Sequence, residues 1–191
     1  MPEESHDLKK QILVVAARLF VAGGYNGFSM RQIAEELGVT KPALYYHFKD
    51  KDDLILAVLI NSLEEYSLMI NACSDCDDSA RLRLSHLVQS IFALEPEKRV
   101  IIRVAGQEIV HLSAESRKSF NDLYHANFID KITQLFQEGI TSGEFQSVDA
   151  DLATRIFLGM VSPFFHLSDQ NARQVADTIL SIFFEGIMRH D

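Results

Sequence analysis

Lys41, Tyr45, Tyr46, His47 and Lys51 crowd hydrogen-bond donors into one short stretch of the chain. A solvated helix face normally carries Glu, Lys, Gln and Ala, so paired tyrosines beside a histidine and two lysines are not explained by helix stability. Hydroxyl, imidazole and ammonium groups all donate to phosphate oxygens, which makes a polyphosphate backbone the natural acceptor. Just upstream, Thr40, Lys41, Pro42 and Ala43 combine small and donor side chains of the kind that reach base edges in a DNA major groove. Ser29, Met30 and Arg31 form a second candidate group, with Met30 either covering the core or approaching a phosphate.

The elements that must position these groups are two short helices across a tight turn. Ser29 and Gln32 form an S-x-x-Q capping box, so a helix begins near Met30. Ile33, Ala34 and Leu37 recur at helical spacing on one apolar face, and Gly38 fits the left-handed position that ends a helix. Thr40 is an N-cap, and Pro42 lies in the first turn, where its missing N–H costs nothing. The second helix is expected over 41–48, with Leu44 and Phe48 packed on the first. The run G-V-T-K-P-A-L-Y-Y-H-F-K-D-K-D-D-L is similar to the signature of the tetracycline-repressor (TetR) family. Upstream, A-x-x-L-F-x-x-x-G-Y-x-x-F-S matches as Ala16, Leu19, Phe20, Gly24, Tyr25, Phe28 and Ser29. The resemblance covers roughly fifty residues, far more than a generic helix-turn-helix pattern. It implies a homodimer that binds an inverted-repeat operator in double-stranded DNA and is released by an apolar small molecule.

Composition bounds the rest. The chain has 191 residues, 47% of them hydrophobic, and a formal charge of −9. Residues 1–50 hold six Lys/Arg and six Asp/Glu, so the whole negative balance lies in 51–191. A neutral N-terminal unit on an acidic body excludes a polycation mechanism; a few placed contacts must carry any affinity for DNA. The polar start and the absence of a long uncharged apolar run point to a cytoplasmic protein with no membrane segment. Cys73 and Cys76 lie in a polar Ser/Asp patch without a second ligand pair, which reads as a loop rather than a metal or redox centre. No nucleophile elbow, phosphate loop or H-E-x-x-H motif is present, so no enzyme and no cofactor is expected.

Helical periodicity with caps recurs from end to end, giving an all-α fold of about nine helices. Residues 1–52 are expected to form the DNA-binding head and 53–191 a ligand-binding and dimerisation body. Helices are expected at about 8–23, from Asp50 toward Met69, and at 79–94, 98–112, 114–142, 149–167 and 171–189. The last two are unusually apolar: Leu152, Ile156, Phe157 and Gly159 on one, and Val175, Ile179, Ile182 and Phe183 on the other, are the expected dimer interface, a four-helix arrangement that the family resemblance also implies. Leu87, Ile91, Val104, His111, Tyr124, Asn127, Phe128, Met160 and Phe164 are the candidate wall of an effector pocket, apolar with a few orienting polar groups. Pro163 should interrupt the helix that carries Phe164. The competing reading is a helical carrier or sensor that uses its first helices for protein contact. Such a carrier has no reason to concentrate phosphate-seeking groups on 41–51.

Overall fold

The computed structural model describes residues 2–74, 78–167 and 169–187, with side chains described for 7–73, 78–167 and 171–187. Cys76 and the expected helix end at Arg189 lie outside the described residues. Helix α1 (Pro2–Gly23) buries Ile12, Ala16 and Phe20 at its i, i+4 and i+8 positions. A 3-10 turn (Tyr25–Gly27) leads to α2 (Met30–Leu37) and α3 (Lys41–His47), and Phe48 caps α3 from an extended conformation. Ile33, Ala34, Leu44 and Phe48 close a small core with Ile12, Ala16 and Phe20. An ion pair from Arg18 to Glu36 ties α1 to α2 on the outside.

Helix α4 (Lys51–Ser74) starts on a reciprocal cap: Asp50 accepts from the Asp53 N–H at 2.8 Å, and Asp53 accepts from the Lys49 N–H at 3.0 Å. It then runs on into the rest of the chain, touching α1, α5 (Ala80–Phe92), α6 (Pro96–Glu108), α7 (Ala114–Tyr124) and α8 (Asp130–Thr141). The expected single helix over 114–142 is α7 and α8 joined by a π turn at His125–Ile129. Counting that rod once, and setting 3-10 turns aside, the described residues form nine continuous helices and no strand. The chain ends on α9 (Ala150–Val161) and α10 (Asp169–Ile187). As expected of Pro163, α9 stops at Val161 and gives way to a 3-10 turn at Ser162–Phe164.

Two packing features stand out, and the first corrects a sequence expectation. Phe157, Ile179 and Phe183 are buried within the chain, where Phe157 and Phe183 meet at 5.0 Å and both contact Phe136. They belong to the subunit's own core, not to an interface. Leu152, Ile156 and Gly159 on α9 and Ile182 on α10 face outward, and Val175 is half-buried. Arg99 is the second surprise, a fully buried cation on α6. Its guanidinium lies over Phe92 and donates to the carbonyls of Phe92 (3.1 Å) and Leu167 (2.7 Å). It thereby bolts the end of α5 and the α9–α10 connection to α6.

Phe145 packs between Phe136 and Phe184 and lies directly over Gly139 of α8. A Cβ at Gly139 would stand 2.4 Å from the Phe145 ring and 2.9 Å from the Ala80 methyl. Helix propensity alone favours Gly139→Ala by about 1 kcal/mol, whereas overpacking costs about 1–3 kcal/mol. The clash is with a ring that is itself enclosed, so overpacking wins. Gly139→Ala is expected to lower the denaturation midpoint in urea with an unchanged m-value.

Candidate nucleic-acid interface

The backbone of α2 and α3 follows its sequence signals closely. The Ser29 hydroxyl accepts from the Gln32 N–H at 3.2 Å, and Thr40 accepts from the Ala43 N–H at 3.3 Å. Gly38 is left-handed (φ 65°), and the N–H groups of Gly38 and Val39 close the end of α2 on the Glu35 and Ala34 carbonyls. This turn fixes the angle between the helices and points the start of α3 outward.

Ser29, Arg31, Thr40, Lys41, Pro42, Tyr45 and Tyr46 are all exposed, while Ala43 and His47 are half-buried. Tyr46 is 82% exposed, an unusual state for an aromatic ring with no partner to cover it. Its ring meets His47 edge to face at 5.3 Å, which holds both donors on one side of α3. Arg31 is paired through Nε with Glu35 at 2.6 Å, which leaves the terminal N–H groups of its exposed guanidinium outward. The surface so formed is one short helix of donors with Leu44 as its buried keel.

Two members of the expected set turn inward. Met30 is buried with Ile33 and Ala34, so it covers the core. Lys51 donates to the Phe28 carbonyl, and its ammonium lies 4.2 Å from the Phe28 ring centre and 4.8 Å from that of Tyr25. Burial lowers its pKa. A cation engaged by one carbonyl and two rings braces the turn before α2; it is not a loose phosphate donor.

The expected pocket residues are not gathered around one cavity. Leu87, Ile91, Val104 and Phe128 are core residues, and Met160 is half-buried while Phe164 is exposed. Its neighbour Phe165 takes the inward place against Phe92, a register shift set by the 3-10 turn. His111 lies instead at the junction with the N-terminal helices, stacked on Tyr25 at 6.0 Å. Tyr124 is stacked between Phe120 and Phe128, and burial pushes its hydroxyl up to about 12. Asn127 donates to the Leu123 carbonyl and shares with Leu123, Ile60, Leu63, Glu64, Ser67 and Leu68 a cleft of about 400 Å³ between α4 and α7. A larger cleft, about 530 Å³, lies between α1, α4 and α6 on Leu13, Val14, Ala17, Val58 and Ile101.

Comparison with known proteins bears on this geometry directly. Residues 12–58 match the family model of bacterial regulatory proteins of the tetR family, and residues 77–166 match a tetracyclin repressor-like C-terminal domain. The chain is 31% identical over 160 residues to the HTH-type transcriptional regulator AcrR of Shigella flexneri, covering 80% of this chain and 72% of that one. It is 22% identical to the fatty acid metabolism regulator protein of Bacillus subtilis over 93% of this chain and 94% of that protein. The crystal structure of AibR in complex with isovaleryl coenzyme A and operator DNA superposes with a TM-score of 0.79 at 24% identity, covering 91% of this chain and 96% of AibR. These relatives are transcription factors rather than carriers or enzymes, and no helix among the described residues is long and apolar enough to cross a membrane. The chain belongs to the TetR family of DNA-binding transcriptional regulators.

Proposed function

We propose that the protein is a homodimeric repressor that binds an inverted-repeat operator through α3 and leaves it when an apolar small molecule occupies the body. The observation that carries the reading is the exposed row on α3, Lys41, Tyr45 and Tyr46, held by a capped turn and serving no packing role. Residues 1–52 act as the reading head and 53–191 as the body. Lys41 opens the recognition helix and reaches a base edge, whereas Tyr46 and His47 hold backbone phosphates. One head makes too few contacts for useful selectivity, so two copies are joined through the outward strip Leu152, Ile156 and Gly159 of α9 with Ile182 of α10. The effector is acyl-like. Support comes from the apolar cleft on Leu63, Leu68 and Leu123 and from the acyl thioester held by AibR.

Selection from random duplexes should return an inverted repeat. Lys41→Ala is expected to relax the preference at one position per half-site, a loss of about 1–3 kcal/mol of discrimination. Tyr46→Phe should weaken all sequences alike; a loss confined to one base would remove the phosphate assignment.

Placing Asp at both Ile156 and Ile182 should give folded monomers in sedimentation, because each unpaired charge buried at the interface costs about 3–5 kcal/mol. Phe157→Asp, by contrast, should unfold the subunit. An intact dimer from the double variant would move the interface elsewhere.

Isovaleryl and palmitoyl coenzyme A serve as probes of the effector. The active one should raise the melting temperature and release the selected duplex along one saturation curve. Leu68→Glu, at a position already 70% exposed, should weaken that response without altering operator affinity.

A further inference from the structure

The first three helices meet the rest of the chain at a corner where α6 ends and α7 begins. Glu108, the last residue of α6, accepts from the Tyr25 N–H at 2.8 Å across 83 positions of sequence. The turn is shaped for it. Gly24 has a φ of 66°, and a Cβ there would stand 2.6 Å from the accepting carboxylate oxygen. His111 lies 4.0 Å from that same oxygen and stacks on the Tyr25 ring. A few ångströms of chain further on, Asp52 at the start of α4 accepts from the Ser113 N–H (3.1 Å), the Ser113 hydroxyl (2.8 Å) and the Ser116 hydroxyl (2.5 Å). Burial opposes ionisation of Asp52, but the donations from Ser116 and Ser113 prevail and hold its carboxyl below the usual range.

Glu108 is not placed for the stability of α6. A negative charge at a helix C-terminus opposes the helix dipole, so Glu108 works against the helix that carries it. Its return is the contact with the N-terminal turn. Helix α1 packs against both α4 and α6, and the Glu108 contact adds a directional hydrogen bond at the turn that leads into α2. Packing along α1 is tolerant of small slides, whereas a hydrogen bond to one backbone N–H fixes a single angle.

We infer that Glu108 is a positioning residue for DNA binding: it fixes the angle of α1–α3 on the body and so sets the spacing between half-sites that a dimer accepts. This rests on the dimeric, operator-binding reading above. Two recognition helices must enter successive major grooves about 34–36 Å apart, and a head that swings loses the match while keeping every base contact it makes on its own. Glu108 is therefore a determinant of spacing and not of base sequence.

The test uses the full-length protein and three sets of duplexes built on the half-site it selects: one isolated half-site, the selected inverted repeat, and repeats with the spacer changed by one base pair either way. Wild type should prefer one spacer. Glu108→Ala should bind the isolated half-site like wild type, lose about tenfold on the selected repeat, as removal of one charge-assisted hydrogen bond allows, and discriminate poorly among spacers. Glu108→Gln keeps an acceptor for the Tyr25 N–H and should restore the preference. Ser116→Ala, which loosens the same corner through Asp52, should relax spacing in the same direction and carries the test if Glu108→Ala folds badly. Unchanged spacer preference in the folded variants would overturn the inference, as would an equal loss on isolated half-site and repeat, which marks a merely structural role. A wild-type protein that selects half-sites but never a repeat would refute the dimeric reading first, and this one with it.

Discussion

One helix has to serve two cores at once, and the architecture follows from that demand. Leu54, Ile55, Val58 and Leu59 at the start of α4 are buried, and so are Leu63, Tyr66 and Ile70 further along it. The first group packs near α1, the second among α5, α7 and the π turn. Helix α4 does this with one broad buried side along its length, keeping Asn61, Glu64, Leu68 and Asn71 on the exposed one. Tyr66 makes the arrangement specific. Its hydroxyl is shared by the carbonyls of Lys98 and Arg99, its ring meets Phe128 edge to face at 5.8 Å, and burial raises its pKa.

Charge is organised around the same axis. The acidic surplus lies wholly in residues 51–191, leaving the exposed donors of α3 on a neutral unit. An acidic body lowers nonspecific attraction along a DNA duplex, and the contacts that remain are those of geometry. Within residues 1–51, Arg18 is paired with Glu36, Arg31 with Glu35, and Lys51 is held by the Phe28 carbonyl. Lys41 stands outward beside Tyr45 and Tyr46 on α3, and Lys9, Lys10 and Lys49 are exposed elsewhere on the same unit.

Local chemistry made much of this legible in sequence. Ser29, Gly38, Thr40 and Pro42 act within four residues of themselves, and each occupies the capping or turn position its side chain dictates. What sequence did not disclose depends on neighbours distant in the chain. Phe157 and Ile156 sit side by side and differ only in which face of α9 meets Phe136 and Phe183. Phe164 and Phe165 exchange places because a 3-10 turn advances the chain differently from an α-helix. The burial of Arg99 depends on the carbonyls of Phe92 and Leu167, which arrive from other elements. His111 was grouped with the body's polar residues, and nothing near it in sequence announces Tyr25. Glu108 falls inside the helix expected over 98–112, and its place at the end of α6 emerges only with the fold.

The unbroken length of α4 has a mechanical meaning. With 24 residues it is about 36 Å long, a stiff arm whose near end carries the reading helices and whose far end lies among the helices that hold the clefts. A tilt of only about 5° at the far end displaces the near end by about 3 Å, close to the roughly 3.4 Å rise of one base pair. On the proposed function, a shift of about 1 Å at Tyr66, about 12 Å from the far end, is geared up roughly threefold at the DNA-binding end. On that proposal, release from DNA requires no large rearrangement; it requires a fulcrum.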